Sequence, residues 1–351
     1  MFEWISDTQL VAGVGLLGGI ILGLAARFGR FCTLGAIEDH AYGANSSRLK
    51  MWGASIGFSI ILTFALVFFG AFDPSGTFYL SLAWNPIATV IGGLMFGYGM
   101  ALCGNCGYGA LARLGGGDLR AFMIVIVMGI AAYVVMSGPL APVRVMLFPS
   151  LLAGDATTGF TTLIHQTTGI SPAMAGIVIG ACILAATLMS GSFWRETKYV
   201  FWSFMVAIAI VSGWFGTYFV SQNGFAPIMV ESHTFSAPVG DTILYAMNGS
   251  ALSLSFGVGS VLGVLAGAFI GSLIKGHFRW EACEDPRELR RQIVGAAVMG
   301  VGAVLALGCS VGQGITAFSV LAYSAPVTFV AIYVGARIGL RQLIEGFAPA
   351  E

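Results

Sequence analysis

The sequence predicts an all-α integral membrane protein of about nine transmembrane helices, arranged as an inverted pseudo-twofold repeat with re-entrant loops that reach its centre. The prediction depends on the composition, the spacing of the apolar runs, and a glycine-flanked cysteine motif that occurs twice. Hydrophobic residues make up 57% of the 351-residue chain and charged residues only 9%, whereas about a quarter of the residues in a soluble domain are charged. This composition excludes an ordinary soluble domain and indicates a protein surrounded by membrane lipid.

The apolar runs have the length of membrane-spanning helices. Each is close to the roughly 20 residues that cross about 30 Å of hydrocarbon as a helix. The first run follows Glu3 and Asp7, where a cleavable signal peptide has basic residues, so we expect it to remain as a span. The nine runs cover residues 10–27, 52–72, 86–103, 121–138, 172–190, 199–220, 252–274, 292–308 and 315–336.

The basic residues predict the orientation of the chain, because short cytoplasmic loops accumulate Lys and Arg. With nine spans and an outside amino terminus, only Arg144 of the 16 Lys and Arg residues lies outside. The inner side then holds Arg27, Arg30, Arg48, Lys50, Arg113, Arg120, Arg195, Lys198, Lys275, Arg279, Arg287, Arg290, Arg291, Arg337 and Arg341. We therefore predict an outside amino terminus and a cytoplasmic carboxyl terminus.

An internal repeat relates the two halves of the chain. The alignment of Cys106 with Cys309 also superimposes Gly92 on Gly295, Gly97 on Gly300, Gly99 on Gly302, Leu102 on Leu305 and Gly109 on Gly312. The two motifs end the third and eighth predicted spans, and an odd separation places the copies in opposite senses across the membrane. Inverted repeats recur in secondary transporters, whose substrate sites lie near the midplane where helices are broken. We expect one transmembrane domain, residues 1–351, with repeats at about 9–138 and 199–338 and a linking span at about 171–191.

Glycine-rich segments interrupt the helical pattern at the repeated motifs. Each Gly costs about 1 kcal/mol relative to Ala inside a helix, so residues 104–117 and 308–314 are predicted re-entrant turns. Backbone at that depth is tolerated only against protein or a water-filled cavity, so the turns should line the centre. Glycines spaced four residues apart favour close packing of helices and are found at Gly15, Gly19, Gly23, Gly259, Gly263, Gly267 and Gly271.

The candidate site combines thiols with the starts of helices. Cys106 and Cys309 occupy the glycine-rich breaks, and Cys32 follows the first span. Free backbone N–H groups and the positive end of a helix dipole attract anions, and a neutral thiol adds a weak S–H donor. The pattern predicts a path for a small anion that accepts hydrogen bonds from sulfur groups. Its candidate residues are Cys32, Cys106, Cys309, Gln313, Gly107, Gly109, Gly312 and Gly314, with Cys103, Asn105, Arg113 and Ser310 as possible accessories.

Other kinds of chemistry fit the sequence less well. The four histidines are scattered over loops, so we expect no thiol-based enzyme. Cys103 and Cys106 form a Cys-x-x-Cys, but zinc requires a second ligand pair and a thioredoxin-like dithiol requires a βαβ context, so no metal or cofactor is predicted. A net charge of zero gives no reason for a nucleic-acid partner. A redox or persulfide function of Cys103 and Cys106, and a structural subunit that needs a soluble partner, remain as alternatives.

Three segments carry a resemblance to a known family: Arg30-Phe31-Cys32-Thr33-Leu34-Gly35, Gly104-Asn105-Cys106-Gly107-Tyr108-Gly109-Ala110-Leu111-Ala112-Arg113-Leu114-Gly115 and Gly308-Cys309-Ser310-Val311-Gly312-Gln313-Gly314. Here, and over nearly its whole length, the chain resembles the YeeE/YedE sulfur-transport membrane proteins; Cys103 is additional to their pattern. The resemblance implies thiosulfate uptake through the bacterial inner membrane, with thiosulfate passed between Cys32, Cys106 and Cys309 by transient S–H···S contacts and Gln313 as a polar neighbour. It further implies a small cytoplasmic sulfur carrier of the TusA-like type as partner. Other sulfur or selenium species remain open as substrates.

Overall fold

The computed structural model describes residues 6–149, 158–189, 193–282 and 285–346, and within these ranges the protein is helical with no β-strand. Residues 310–319 form one short helical segment, which is π-helical over Gly312–Thr316 and is called here the 310–319 segment. The predicted all-α membrane fold is confirmed. The α-helices are α1 (Asp7–Phe28), α2 (Thr33–Ala41), α3 (Ser47–Phe68), α4 (Phe78–Ser81), α5 (Pro86–Cys103), α6 (Gly107–Gly115), α7 (Leu119–Met136), α8 (Ala141–Leu147), α9 (Phe160–Thr168), α10 (Pro172–Met189), α11 (Thr197–Asn223), α12 (Ser236–Asn248), α13 (Phe256–Ile274), α14 (Pro286–Leu305), α15 (Ala317–Ser319) and α16 (Ser324–Glu345).

Eight helical stretches of the described chain are long and apolar enough to cross a membrane: Asp7–Ala41, Ser47–Phe68, Pro86–Gly115, Leu119–Met136, Pro172–Met189, Thr197–Asn223, Phe256–Ile274 and Ser324–Glu345. This is one fewer than the nine predicted runs. The run at 292–308 falls in α14, whose first turns carry Arg287, Glu288, Arg290 and Arg291, so its apolar part is short. Helix α14 nevertheless packs along α5 and α7.

The run predicted as one span at residues 315–336 is divided in the structure. The 310–319 segment ends at Ser319, a turn follows, and α16 begins only at Ser324. The turn is stabilised from outside, because the Phe160 N–H donates to the Leu321 carbonyl at 3.0 Å and the Tyr323 N–H to the Thr158 carbonyl at 3.1 Å. The connection before α9 therefore satisfies backbone groups that a continuous helix would have paired internally.

The predicted re-entrant turns are shorter than expected. In residues 104–117 the break covers only Gly104 to Cys106, and α6 follows as regular helix. In residues 308–314 helix resumes at Ser310. Glycine propensity alone suggested longer turns, but packing against neighbouring helices outweighs it. A short break at residues 29–32 separates α1 from α2, and a longer connection at residues 224–235 separates α11 from α12, so the described chain contains four helix–break–helix units.

The glycines spaced four residues apart let α1 and α13 touch backbone to backbone. A Cβ built on Gly19 would lie 2.4 Å from the Ser260 carbonyl oxygen, and one on Gly263 would lie 2.3 Å from the Leu16 carbonyl oxygen. Real Cβ atoms cannot approach so closely, so only Gly fits at these positions. The packing role predicted for these glycines is confirmed.

The helix pairs form a symmetric set. Helix α1 packs on α13 as α11 packs on α3, α5 packs on α16 as α14 packs on α7, and α2 contacts α16 as α12 contacts α7. Each of these contacts becomes another contact in the set when equivalent helices of the two halves are exchanged. The equivalent helices are α1 and α11, α2 and α12, α3 and α13, α5 and α14, and α7 and α16. The pairing supports the inverted repeat, which stays a prediction together with its limits.

Candidate thiol path and its two cavities

Each of the three predicted thiols stands immediately before the first turn of a short helix. Cys32 precedes α2, Cys106 precedes α6 and Cys309 precedes the 310–319 segment. The Cys106 sulfur accepts the Gly109 N–H at 3.3 Å, and the Cys309 sulfur accepts the Gly312 N–H at 3.4 Å. In both caps the sulfur takes the place that a Ser or Asp oxygen usually takes at a helix start. The amide donor fixes the sulfur while the S–H proton stays available for another acceptor.

The residues that follow Cys32 and Cys309 meet beside Cys106. Thr33 Oγ1 lies 2.9 Å from Ser310 Oγ and 3.8 Å from Cys106 Sγ, so its single proton has two acceptors to choose between. Cys106 and Ser310 are 0% exposed and Thr33 is 1% exposed. These three residues, called the constriction below, join three separate helix breaks at one buried point.

Cys32 lies on one side of the constriction. A Cβ built on Gly109 would lie 3.5 Å from the Cys106 sulfur and 3.7 Å from the Cys32 sulfur, so both sulfurs face the same spot, and the two thiols are direct neighbours. Phe31, the neighbour of Cys32 in the chain, stacks on Trp52 with 4.6 Å between ring centroids. Cys106 is fully buried, and burial strengthens the weak hydrogen bonds that a thiol can make.

Cys309 is reached from the other side. Thr234, at the end of the connection between α11 and α12, has its Oγ1 3.6 Å from the Cys309 sulfur. This connection is attached to the 310–319 segment, because Thr316 Oγ1 donates to the His233 carbonyl at 2.6 Å. The His233 ring is buried and its Nδ1 lies 2.6 Å from Ser260 Oγ. The fourth broken helix therefore contributes Thr234 to the same line of groups.

Gln313 supports the break before Cys309. Its Nε2 donates to the carbonyls of Ala306 at 2.8 Å and Leu307 at 3.2 Å, and its Oε1 accepts from Ser324 Oγ at 3.1 Å. Leu307 has a φ of +57°, a left-handed conformation that is costly for a branched residue. The sequence pattern suggested that this amide donates to an anion, but both of its N–H groups are already engaged with the break.

A cavity of about 410 Å³ opens at Cys32. Asn105 and Gly109 form part of its wall. The rest is strongly basic, so we call it the basic cavity; its charged and titratable lining residues are Arg27, Arg30, Arg48, Arg113, Lys275 and His277.

A second cavity, of about 540 Å³, opens at Thr234 and Gly308 and is called the Thr234 cavity. Its wall is mainly apolar and includes Tyr79 and Trp214. It also holds Arg144 and two carboxyls, Glu231 and Asp241. Burial raises the pKa of Glu231 to about 7 and that of Asp241 to about 6.

Helix α3 shows that the two cavities lie on opposite sides of the constriction. Arg48, in its first turn, lines the basic cavity. Just beyond its other end, Phe72 packs on Trp214 of the Thr234 cavity, with 5.8 Å between ring centroids. A helix of 22 residues is about 33 Å long, so the cavities open toward opposite ends of a span about as long as a membrane is thick.

The four predicted glycines have different surroundings. Gly109 lines the basic cavity. A Cβ on Gly312 would lie 2.5 Å from Thr234 Oγ1, which keeps that position closed to any side chain. At Gly107 and Gly314 the space is filled by Met128 and Phe329, with contacts of 2.7 and 2.9 Å to a built Cβ, so packing explains both glycines.

The four accessory residues also lie in different surroundings. Asn105 and Arg113 line the basic cavity, and Ser310 belongs to the constriction. Cys103 does not join them, because its sulfur donates to the Gln292 carbonyl of α14 at 3.3 Å. Cys103 and Cys106 therefore have separate neighbours, which weakens the dithiol alternative.

Sequence reasoning missed Thr33, Thr234 and the basic cavity. The sequence does contain a signal for Thr33, because the pattern Cys-x-x-Gly begins at Cys32, at Cys106 and at Cys309. When these patterns are aligned, Thr33 takes the position that Ser310 has after Cys309. Thr234 has no such motif, and the cavity depends on side chains from four helices.

Within the described ranges, no group of three His, Cys, Asp or Glu residues could hold a metal.

The chain is similar to known transport proteins. A family model described as sulphur transport matches residues 27–338. The thiosulfate transporter TsuA of Spirochaeta thermophila is 24% identical over 329 residues, which cover 92% of this chain and 96% of that protein. The thiosulfate transporter TsuA of Escherichia coli strain K12 is also 24% identical, over 352 residues that cover 92% of this chain and 91% of that protein.

Proposed function

The chain belongs to the sulphur transport family, and from this premise we propose that it takes up thiosulfate by passing the anion along Cys309, Cys106 and Cys32. The family match confirms the resemblance seen in the sequence. A multi-pass membrane protein with two cavities separated by a buried constriction is a physical arrangement suited to transport.

The observation that carries the proposal is the line of contacts between the two cavities. Thr234 borders one cavity and touches Cys309. Ser310, next to Cys309, is hydrogen-bonded to Thr33, which also contacts Cys106. Cys32, beside Cys106, borders the other cavity. An anion can thus meet a thiol or hydroxyl at every step.

The donors on this line suit an anion that must leave again. The constriction residues are uncharged, so they attract an anion without holding it as a buried Arg does. The helix starts at Cys106 and Cys309 add partial positive charge from their backbone N–H groups. Sulfur is soft and polarizable, so thiol contacts favour the terminal sulfur of thiosulfate over the oxygens of sulfate.

We further propose that the protein lies in the bacterial inner membrane with its amino terminus outside and its carboxyl terminus in the cytoplasm. The basic cavity then faces inward, since its cations come from segments that the positive-inside rule assigns to the cytoplasm. A TusA-like sulfur carrier at this face would accept the imported sulfur.

Uptake of radiolabelled thiosulfate into proteoliposomes tests the proposal. We expect Cys106→Ala and Cys309→Ala to abolish uptake while the purified protein stays monodisperse. The matched controls are Cys182→Ala, at an exposed position on α10, and Cys103→Ala, both of which should transport normally. Normal uptake by the single alanine variants of Cys32, Cys106 and Cys309 would refute the relay.

The closeness of Cys32 and Cys106 is the one observation that favours a thiol redox or persulfide function. That function requires a covalent change at one of the sulfurs during turnover. Intact-mass spectrometry after turnover separates the two functions. An unchanged mass supports noncovalent passage, whereas added sulfur or the loss of two hydrogens supports the redox function.

A further inference from the structure

The basic cavity holds a concentration of positive charge that the contacts along the three thiols do not use. Five cationic side chains line it, and no Asp or Glu occurs among its described lining residues. Three carboxylates outside this lining act on its arginines. Asp39 pairs with Arg48 at 3.1 Å, and Asp118 lies 4.0 Å from Arg113, at the limit of an ion pair. Glu38 acts on the same two arginines at longer range.

Arg27 and Lys275 are surrounded mainly by like charge. Arg113 is the strongest charged neighbour of Arg27, and it repels, whereas Asp118 attracts Arg27 more weakly. Burial, followed by the charges of Lys198, Arg30 and Arg27, lowers the pKa of Lys275. The Arg27 Nε is buried without a hydrogen-bond partner. Cations held together in this way are unfavourable until an anion joins them.

Two of these guanidinium groups lie directly over glycine backbone. A Cβ on Gly116 would lie 1.2 Å from Arg27 Nη2, and a Cβ on Gly35 would lie 2.1 Å from Arg48 Nη2. Each arginine therefore rests on a glycine that no other residue could replace without moving it. The wall therefore combines two arginines that lie over glycine backbone with Arg30 and Arg113, which are more exposed.

We infer that the basic cavity is a binding site for a multivalent tetrahedral oxyanion, with sulfate and inorganic phosphate as its simplest ligands. Guanidinium groups match the paired oxygens of such anions and bind them more strongly than isolated charges do. The volume of about 410 Å³ accommodates the anion together with water. The binding claim is independent of transport. One consequence rests on the proposed function: an oxyanion held here lies across the exit from Cys32 and slows uptake.

Isothermal titration of the purified protein in neutral detergent tests the binding, with sulfate or phosphate added at constant ionic strength set by chloride. We expect saturable binding that weakens at least tenfold in Arg27→Gln and in Arg113→Gln. Gly116→Ala keeps every charge but displaces the Arg27 guanidinium, so it should weaken binding as well. Arg341→Gln, at a site that is 73% exposed and bonded to Glu345, is the matched control and should bind like the wild type. Equal affinity in all variants, or no saturable binding, would overturn the site.

Two further experiments identify the source of the bound anion and its effect on thiosulfate uptake. Phosphatidylglycerol added to the micelles should compete with phosphate if a lipid headgroup is the natural ligand, and should leave binding unchanged if a free anion is. Sulfate trapped inside proteoliposomes should slow thiosulfate uptake by the wild type, but less by Arg113→Gln. A wild type that binds sulfate and takes up no thiosulfate would refute the proposed function and leave the site intact.

Discussion

Replacement of Gln313 by Leu distinguishes a residue that supports the helix break from one that contacts the anion. Leu has a similar size but offers no hydrogen bonds, so the carbonyls of Ala306 and Leu307 lose their donor and Ser324 Oγ loses its acceptor. A buried acceptor left unsatisfied costs about 1–3 kcal/mol, so the two carbonyls together cost about 2–6 kcal/mol. The break before Cys309 should loosen accordingly.

The measurements are the melting temperature of the purified protein and the kinetics of thiosulfate uptake. We expect a lower Tm and a lower maximal rate, with the KM of the remaining active molecules little changed, because no contact with the anion has been removed. Gln342→Leu is the matched control. It loses a single hydrogen bond, from the Tyr98 hydroxyl at 2.7 Å, and should cost about 1 kcal/mol without affecting uptake. An unchanged Tm with a raised KM would show that Gln313 binds the anion directly and that our reading of its amide is wrong.

Two further predictions concern packing and pH. Gly19→Ala should sharply reduce the yield of folded protein, because the new Cβ would lie 2.4 Å from the Ser260 carbonyl oxygen. Gly13→Ala on the same helix is the control; its Cβ meets nothing within 4 Å, so it should be tolerated. Equal yields of the two variants would refute the packing argument. Burial raises the pKa of Glu231 to about 7, so it is mostly neutral at pH 6 and mostly charged at pH 8, and its charge then repels an incoming anion in the Thr234 cavity. Uptake should therefore be faster at pH 6 than at pH 8, and Glu231→Gln should reduce the difference. Asp241, whose pKa is about 6, leaves a smaller pH dependence centred on that pH. An unchanged pH profile in Glu231→Gln would exclude this role.

Local pattern was sufficient for the fold class and for the position of the three cysteines at helix starts. Apolar runs locate the spanning helices because lipid demands both their length and their composition. The run at 292–308 shows where this reasoning fails, since α14 is accommodated by α5 and α7 in spite of its charged start. Glycine content likewise located the breaks but overestimated their length, because tertiary contacts stabilise helix where propensity alone does not.

The candidate site was predictable only in part, for a physical reason. Cys32, Cys106 and Cys309 are recognisable because each begins a helix, a property of a few consecutive residues. The role of Gln313 depends on the carbonyls of Ala306 and Leu307 pointing at it, which follows from a left-handed residue that the sequence does not reveal. Contacts between distant segments, such as those that build the basic cavity, leave no local signal at all.

The hydrogen bond between Thr33 and Ser310 has a consequence for the electrical insulation of the membrane. Each elementary charge that crosses a membrane held at 100 mV gains or loses about 2.3 kcal/mol, so a dianion gains or loses about 4.6 kcal/mol. A permanently open path wide enough for such an ion would also pass water, protons and chloride, and would discharge the membrane. The contact at 2.9 Å, between side chains that are at most 1% exposed, interrupts any water column between the two cavities. A cell can therefore keep this protein in its membrane without losing its voltage while the substrate is absent.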